Sequence, residues 1–456
     1  MNKISIFALL MCAACASPAN DLPEVTINHQ AFKVNQKASL DNWWHSFGNN
    51  ELNLLLEDVV SNNLDLAAAA ENLQAVAATT NAIIGTQLPS LDLAANLGKS
   101  RSNIIGLPIP GAGDVVAIES DRVALDLRLS WELDLFGRLD AQEASSLAQL
   151  DASTANYAAL HLALSGQAVR TWLAYQFAQQ QAASLRTSLV MQGKLLSSIE
   201  DASQLASNSA LVFATRSEML ATKTQLAQSE MQLEQLRQAL QTLTSSDALS
   251  NISTSALPEL SKLPDLGVEA QLIARRPDLI ALEAQLRAAA AKVDVAHAAL
   301  YPSFFISAAL GGSSDELGNL LNGDYRTWSF GGNVLAPLFH GGALRQQQAA
   351  AQHQYQASSL SFVQHCLRAF AEVATLLNNE RLLDAQVNNA LQINDLAQQR
   401  LAANHDALAL GVGNAQGVLR SSLLQQQTQL QLLSSNMLLL QNRVDLHLAL
   451  GGGFTQ

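Results

Sequence analysis

The chain has 456 residues, a length that usually holds more than one domain. Charged residues make up only 14% of it, against about 25% in ordinary globular proteins. The net charge of −13 excludes the basic surface that nucleic-acid binding requires, so we expect no nucleic-acid partner. The acidic balance fits a water-filled passage that tolerates cations, and it fits an acidic soluble protein equally well.

The N-terminal sequence predicts export from the cytoplasm. Residues 1–14 contain Lys3, an apolar run from Ile4 to Met11 and then small residues, a pattern typical of a secretory signal peptide and too short for a membrane-spanning helix. Ala13, Ala14 and Cys15 resemble a bacterial lipobox, in which the cysteine becomes the lipidated N-terminus. Cys12 stands where that motif usually has leucine. We expect lipidation at Cys15; the alternative is plain cleavage of the signal nearby.

The next segment predicts a helix followed by two strands. An Ala-rich helical pattern ends at Pro89, because proline cannot continue the helical hydrogen bonds and favours an extended predecessor. Strand-like sequence follows at about 89–101 and 122–136. In the second of these, apolar and polar residues alternate, which indicates one apolar and one wet face. The wet face carries Asp126, Arg128, Glu132 and Asp134.

Very long helices follow the strands. The segments 138–200, 209–244, 342–407 and 415–450 lack proline and nearly lack glycine. From Gly342 to about His405 a helix would extend roughly 95 Å. Leucine, methionine or valine recurs every seven residues in the last segment, which is typical of a coiled coil. The helices alone do not distinguish a long solvent-exposed coiled coil from helices that border a wet interior or pack against lateral neighbours.

The chain contains an internal repeat. Residues 62–98 align without a gap with 275–311, and 12 of 37 positions are identical, including a Pro-Ser pair at the change from helical to strand periodicity. A chance match of Ala-rich helices would not place that pair at the same change of pattern. The second copy therefore predicts a helix at 278–300 and strands at about 302–312 and 326–338. We expect the strand–helix corners at Pro89, Pro302, Gly137, Pro337 and Gly341.

The strands decide whether the chain enters a membrane. After the signal no run approaches the roughly 18 apolar residues of a membrane helix, whereas a strand of about 9–11 residues can cross. Four strands cannot close a barrel, and in lipid every strand edge must be paired. Several chains would therefore share one barrel. The charged face of 123–135 would then face a lumen and the leucines would face lipid.

No enzyme or cofactor motif occurs in the sequence. There is no G-x-S-x-G, Walker A or H-E-x-x-H motif, and the nine histidines include no pair spaced four apart. His340-Gly341-Gly342 is explained by a strand-to-helix corner that needs glycine. Glu132 and Asp134 have the spacing of two carboxylates on one face of a strand and suit a wet lumen better than acid–base catalysis. We expect no enzyme activity, no cofactor and no metal site.

The sequence as a whole resembles a known family. It is similar to the outer membrane factors of tripartite efflux pumps, in the lipoprotein branch related to the TolC channel. The matching residues span nearly the whole mature chain: Trp43-Trp44, Leu52, Asn63-Leu64-Asp65-Leu66, SWELDLFGR at 130–138, Arg275-Arg276-Pro277-Asp278-Leu279, Pro337-Leu338-Phe339 and LALGGGF at 448–454.

This resemblance implies a mixed fold of transmembrane β-barrel and long α-helical barrel. Three chains would each contribute four strands to one 12-stranded barrel, continued by a coiled-coil periplasmic tunnel. An equatorial domain would surround the tunnel, built from 15–61 and the linker 245–274. Repeats at 62–244 and 275–450 would form the walls, and 451–456 the C-terminal tail. The resemblance places the chain in the outer membrane, anchored by lipid and extending far into the periplasm.

The helix-to-helix turns depart from the family pattern. The resemblance implies docking of a periplasmic adaptor at both turns, here Leu205, Ala206, Ser207 and Asn208 in the first and Gly411, Val412, Gly413 and Asn414 in the second. Leu408 replaces the tyrosine usual before the second turn, and the first turn lacks glycine. An acidic residue often forms the closed gate in the family. Here the nearest acids are Asp201 and Asp406.

The function implied is passive export of small toxic compounds such as drugs, dyes, detergents or metals. An inner-membrane pump, most often of the RND type, would drive export through the adaptor. A type I protein secretion channel uses the same fold and is the nearest alternative, although lipidation favours efflux. A periplasmic coiled-coil scaffold without a pore is the alternative from another class.

Overall fold

The computed structural model describes residues 42–105, 115–203, 209–245, 256–258, 260 and 275–452. The predicted signal 1–14, Cys15, the first turn at 205–208 and most of the linker 245–274 lie outside the described residues. The same holds for the end of the C-terminal tail. The fold below is that of the described ranges.

The described chain begins with two short elements that lead into the first repeat. A 3₁₀ helix covers Trp43–Phe47, and helix α1 covers Asn50–Asn62. Asn63 joins α1 to helix α2 at Leu64–Gly85: its side-chain oxygen accepts the Leu66 backbone N–H at 3.0 Å, and its amide nitrogen donates to the Leu243 carbonyl at 2.9 Å. One asparagine thus caps α2 and ties it to the end of a distant helix.

Four antiparallel strands form one sheet in the order β1-β2-β3-β4. Strand β1 covers Ser90–Ile105, β2 Val115–Leu133, β3 Ser303–Ser314 and β4 Arg326–Leu335. Between β3 and β4 lie 3₁₀ turns at Leu317–Asn319 and Gly323–Tyr325. The sheet therefore consists of one hairpin from each repeat, joined through β2 and β3.

Five further helices form a wall. Helix α3 covers Arg138–Ser203, α4 Ser209–Thr244, α5 Pro277–Ala298, α6 Ala343–Ala409 and α7 Ala415–Ala449. Helices α3 and α6 have 66 and 67 residues, which corresponds to about 100 Å each. α3 packs against α2, α4, α5 and α7, and α6 packs against α5 and α7.

The strand bounds differ from the sequence prediction in the first hairpin and at two corners. β1 continues to Ile105 rather than 101, and β2 begins at Val115 rather than 122. β2 ends at Leu133 rather than 136, because the Asp134 carboxylate accepts the backbone N–H groups of Arg138 and Asp140 at 2.7 and 2.8 Å and so caps α3. β4 ends at Leu335 rather than 338, which leaves Pro337 in the connection to α6. This connection ends with two glycines in the left-handed region, Gly341 at φ 58° and Gly342 at φ 82°.

The main hydrophobic core lies where the N-terminal elements meet α3, α4 and α7. Trp172 and Leu173 of α3 are fully buried there. They belong to one cluster with Trp43, Trp44, Phe47, Leu52, Leu56, Val169, Leu240, Leu440 and Val444. Burial of this many large side chains makes this part of the chain its best-packed region.

Candidate functional site

The strand register places apolar side chains on one face of the sheet. Because alternate residues of a strand share a face, the paired positions define that face across all four strands. Trp328, Phe330, Leu93 and Leu97 on it are all more than two-thirds exposed. We call this the apolar face: Leu91, Leu93, Ala95, Leu97, Val123, Leu125, Leu127, Leu129, Trp131, Leu133, Phe304, Ile306, Ala308, Leu310, Trp328, Phe330 and Val334.

The opposite face of the sheet is polar. Asp126, Arg128 and Glu132, which the sequence assigned to a wet face, all lie on it. Arg128 contacts Asp126 at 3.3 Å and stands opposite Asp92 of β1. Serine, threonine and asparagine occupy much of the rest of this face: Asn96, Ser100, Ser130, Ser307, Thr327, Ser329 and Asn333. The polar face can therefore border water while the other face borders lipid.

Two acidic residues at the base of β2 have structural partners. Glu132 binds the Arg138 guanidinium through both carboxylate oxygens, with the shortest contact at 2.7 Å. Asp134 lies beyond the strand and caps α3, so its carboxylate is directed at backbone N–H groups rather than presented along the strand. Of the four predicted residues, Asp126 and Arg128 pair with each other on the strand, and Asp134 departs from the predicted strand position.

Charged pairs mark the end of the apolar face. Lys99 and Arg101 continue the row of Leu91, Leu93 and Leu97, yet they pair across the hairpin with Asp121 and Glu119 at 3.3 and 3.2 Å. The apolar stretch of β1 from Leu91 to Leu97 measures about 20 Å. Because outer-membrane strands are tilted by about 35–45°, this stretch covers about 15 Å of the apolar band, which is about 25 Å tall.

The strand–helix corners are fixed by aromatic contacts and glycines. The Trp131 indole N–H donates to the carbonyl of Gln87, two residues before Pro89, at 2.9 Å. The Phe136 and Tyr301 rings stack with centroids 4.9 Å apart, which connects the corner after β2 to the one before Pro302. Gly137 adopts φ 73°, a torsion that favours glycine, immediately before α3 begins.

The turn between α6 and α7 closes the far end of the wall. Gly411 has φ 77°, and the backbone N–H groups of Val412 and Gly413 both donate to the Ala407 carbonyl, at 3.0 and 2.9 Å. Asn414 caps α7 by accepting the Gly417 N–H at 2.7 Å. This turn exposes three apolar side chains, Leu408, Leu410 and Val412, beside the polar Asn414.

The two acids nearest the helix ends are both exposed. Asp201 lies in the last described turn of α3 and Asp406 in the last turn of α6. The partner turn, 205–208, is outside the described residues. A cleft of about 700 Å³ opens between α3, α4 and α7 on the same half of the wall, and Gln192 donates to Thr222 across it at 3.0 Å.

A buried polar network between α6 and α7 was not foreseen from the sequence. Glu380 forms an ion pair with Arg443, and its other oxygen accepts the Asn442 amide at 2.7 Å; all three side chains are buried. Their positions in the chain give no signal, because the partners lie about 60 residues apart on different helices. Together with the hydrogen bonds of Gln386 to Ser435 and of Thr428 to Asn394, this network joins α6 and α7 at specific positions along their length.

Burial and neighbouring charges shift the pKa values of two side chains near the start of α5 and the end of α7, Arg276 and His447. Burial tends to lower the pKa of Arg276, but hydrogen bonds and charges from Asp278 and Glu372 outweigh it and raise that pKa. Burial, assisted by the charge of Arg443, lowers the pKa of His447 to about 3. Its neutral ring stacks on Trp43 with centroids 5.1 Å apart. Arg276 thus connects the start of α5 to α6, and His447 connects α7 to the first 3₁₀ helix.

Two negative findings complete the site. Within the described ranges no helix is both long and apolar enough to cross a membrane. Among the same residues no group of three or more His, Cys, Asp or Glu side chains is arranged to hold a metal ion.

An exposed apolar sheet continued by helices of about 100 Å defines a class of membrane-inserted transport protein. Within it, the chain belongs to the outer membrane efflux protein family, whose model matches residues 55–246 and 269–452. Members of this family are transport channels and not enzymes. The chain is thus an outer membrane efflux channel protein with a large periplasmic portion.

Individual relatives agree along nearly the whole chain. The pyoverdine export outer membrane protein OpmQ of Pseudomonas putida is 30% identical, covering 90% of this chain and 88% of its own. The solvent efflux pump outer membrane protein SrpC of Pseudomonas putida is 29% identical, covering 100% and 98%. The solved structure of the outer-membrane channel OprN matches with a TM-score of 0.79 at 25% identity, covering 90% and 92%.

Proposed function

We propose that three copies of this chain form one passive conduit for small toxic compounds, with a shared 12-stranded barrel in the outer membrane and a helical tunnel below it. The observation that carries the proposal is the sheet: its apolar face is exposed, and β1 and β4 each have a strand neighbour on one side only in the described chain. In lipid such edges must be paired. Further copies of the chain provide the pairs.

The polar face gives the conduit its lining. The ion pairs of Asp126 with Arg128 and of Glu132 with Arg138 then face the water of the lumen, and the leucines and aromatics of the apolar face contact lipid. A lumen lined by small polar side chains and a few charges selects weakly. Substrate choice then lies with the pump, and relatives named for pyoverdine and for solvents fit this view.

Export needs an energy source outside this chain. We place an inner-membrane pump, most simply of the RND type, and a periplasmic adaptor at the far end of the wall. Adaptor docking uses 205–208 and the exposed turn at Gly411–Asn414, with Asp201 and Asp406 as candidate gate acids. The lipid anchor at Cys15 adds a second attachment to the outer membrane. It is tested with labelled palmitate, which the native protein should incorporate and the Cys15→Ser variant should not.

The proposal is tested by deletion and by conductance. Deleting the gene in a strain that expresses the cognate pump should raise sensitivity to at least one dye, detergent, antibiotic or metal, and the purified protein should conduct ions across a planar bilayer. The alternative is type I secretion. It would be indicated if the protein conducts ions, the deletion strain keeps its sensitivity across a broad panel, and that strain no longer secretes a protein. A protein without conductance and without an oligomer would be a scaffold, and the conduit would be disproved.

A further inference from the structure

The two repeats correspond in sequence position through their helices, through the starts of β1 and β3 and through the registers of their hairpins. Helix α5 begins and ends 213 positions after α2, from Leu64 to Pro277 and from Gly85 to Ala298, and β3 begins 213 positions after β1. In the second half the spacing is 205: Arg138 and Ala343 begin the long helices, and Gly137 and Gly342 precede them at φ 73° and 82°. The hairpin registers agree as well. Ser90 pairs with Ser130, and the residues 213 and 205 positions later, Ser303 and Leu335, pair with each other.

From this repetition we propose the register in which the free edges of neighbouring copies pair: Ser329 of β4 stands opposite the partner subunit's Ser100 of β1. The inference rests on the trimeric conduit proposed above. Within one chain the first repeat meets the second through β2 and β3, where Ala124 pairs with Ser313. Shifting Ala124 by 205 gives Ser329, and shifting Ser313 back by 213 gives Ser100. The contact between chains then repeats the contact within a chain.

The remaining pairs follow from the observed β2–β3 register by the same shifts. On the polar face, Asn333 meets the partner subunit's Asn96, and two small hydroxyl groups meet at Ser329, pairings that stabilise antiparallel strands. On the apolar face, Trp328 meets the partner subunit's Arg101 and Phe330 meets the partner subunit's Lys99, which places aromatic rings beside cations. Eight positions of β4, 328–335, are thereby paired.

A glycine at the free edge supports this register. At Gly311 an added Cβ would lie 2.1 Å from the Leu125 carbonyl oxygen, so β2 and β3 approach each other too closely for a side chain there. Its equivalent in the first repeat is Gly98, where an added Cβ would meet nothing within 4 Å of the same chain. The proposed register sets Gly98 opposite the partner subunit's Gly331, which is the equivalent of Asp126 in the β2–β3 pair. Gly98 then has a neighbouring strand as close to it as β2 is to Gly311.

Helix burial supplies a second, independent observation. Ala281, Ala288 and Ala291 of α5 are buried, and the Ala288 carbonyl accepts the Ser145 hydroxyl of α3 at 3.2 Å. The equivalent residues of α2 are the identical alanines Ala68, Ala75 and Ala78, and all three are exposed. A stripe of identical residues that is covered in one repeat and open in the other fits a neighbour that takes the place of α3. By the repeat that neighbour is the partner subunit's α6.

Paired cysteines test the register against its nearest competitors. A slip of two residues keeps each face intact but moves the paired Cα atoms to about 7–8 Å, beyond ordinary disulfide range. The two predicted pairs are Ser329→Cys with Ser100→Cys and Asn333→Cys with Asn96→Cys. The matched slipped pairs are Ser329→Cys with Ser102→Cys and Asn333→Cys with Ala94→Cys. Each single-cysteine variant controls for links through the native cysteines, and the native mass in detergent is measured in parallel.

We expect mild oxidation to link most of the protein between chains in both predicted pairs and only a trace in the slipped pairs. Stronger linking in a slipped pair would overturn the register and leave the conduit standing. A trimer with no linking in any pair would also overturn it, because the edges would then meet elsewhere. A monomer with no linking would remove the trimeric conduit and the register together.

Discussion

The sheet and the helices use the same kinds of side chain in opposite ways. We call the helices that pack around Trp172 and along α6 and α7 the helical base. Trp328 on the apolar face is 77% exposed, whereas Trp172 in the base is fully buried among α1, α3, α4 and α7. Charges differ likewise: Lys99 and Asp121 pair in the open, and Glu380 and Arg443 pair in the interior. The base buries its large side chains within the chain, whereas the sheet leaves its apolar face exposed and the outer edges of β1 and β4 without a strand neighbour in the described chain.

Tryptophan truncation gives the largest contrast between the two regions. Trp172→Ala should lower the free energy of unfolding by about 3–5 kcal/mol, because it removes a large side chain from a closed core. Trp328→Ala in detergent should change it by about 1 kcal/mol or less, because little of its own chain surrounds the ring and a cation beside an exposed ring contributes only about 0.5–1 kcal/mol. Chemical unfolding followed by helical circular dichroism measures both, and equal losses would break the comparison.

Ion-pair removal tests the same contrast with charges. Glu380→Leu should cost about 3–5 kcal/mol because it leaves Arg443 charged and buried, and adding Arg443→Leu should restore most of the loss. Asp121→Ala should cost about 0–1 kcal/mol, since its pair with Lys99 is exposed. The same unfolding measurement applies. A double variant as unstable as the single one would show that the network contributes more than charge compensation.

A charge on the apolar face tests whether that face contacts lipid. Leu127 lies opposite Leu93 and Leu310 in the middle of the band, so Leu127→Arg should destabilise insertion into vesicles by about 2–4 kcal/mol. Ser130→Arg, on the polar face of the same strand, is the control and should have little effect. Folding yield into lipid vesicles reports both. Equal tolerance of the two arginines would contradict the assignment of the faces.

The helical base should also lose stability in acid. His447 has a pKa of about 3 in the folded chain, so the unfolded chain, with a value near 6.5, binds the proton first. Its contribution is therefore complete above about pH 6.5 and is lost as pH falls toward 3, which amounts to about 2 kcal/mol between pH 7 and pH 5. His447→Gln should flatten this part of the stability–pH curve. An unchanged slope would assign it to other groups.

Sequence periodicity predicted the elements whose pattern is set locally. The start of α3 at Arg138 follows from the glycine that precedes it, and the two faces of β2 follow from its period-2 spacing. Both signals are visible within a few residues. β3 and β4 were harder to interpret, because Phe304 and Phe305 are adjacent and two glycines interrupt β4. The register resolves this: Phe304 lies on the apolar face and Phe305 on the other.

Features that depend on distant partners were not predictable in this way. Asp134 has the strand's parity, yet it caps the next helix, and only the bend of the chain after Leu133 shows this. The Glu380–Arg443 pair joins two helices with many charged and polar positions, so no spacing rule selects these two. The exposed alanines of α2 acquire a meaning only beside their buried counterparts in α5.

The smallest expected effect on stability belongs to the turn between α6 and α7. A bulky charge at Gly413 is a poor test of adaptor docking, because an added Cβ would lie 2.9 Å from the Leu408 nitrogen and strain the end of α6. Val412 is 81% exposed and contributes only its backbone N–H to the turn, so Val412→Arg should leave unfolding unchanged.

If this turn docks onto the adaptor, Val412→Arg should abolish adaptor cross-linking and drug export while the protein stays trimeric and inserted, because a charge would be buried unpaired at the interface. Leu438→Arg, also exposed on α7 but far from the turn, is the matched control. Wild-type cross-linking in Val412→Arg would remove the turn from the docking surface. The exposed trio Leu408, Leu410 and Val412 would then need another role, since an apolar tip in water gains nothing from its exposure.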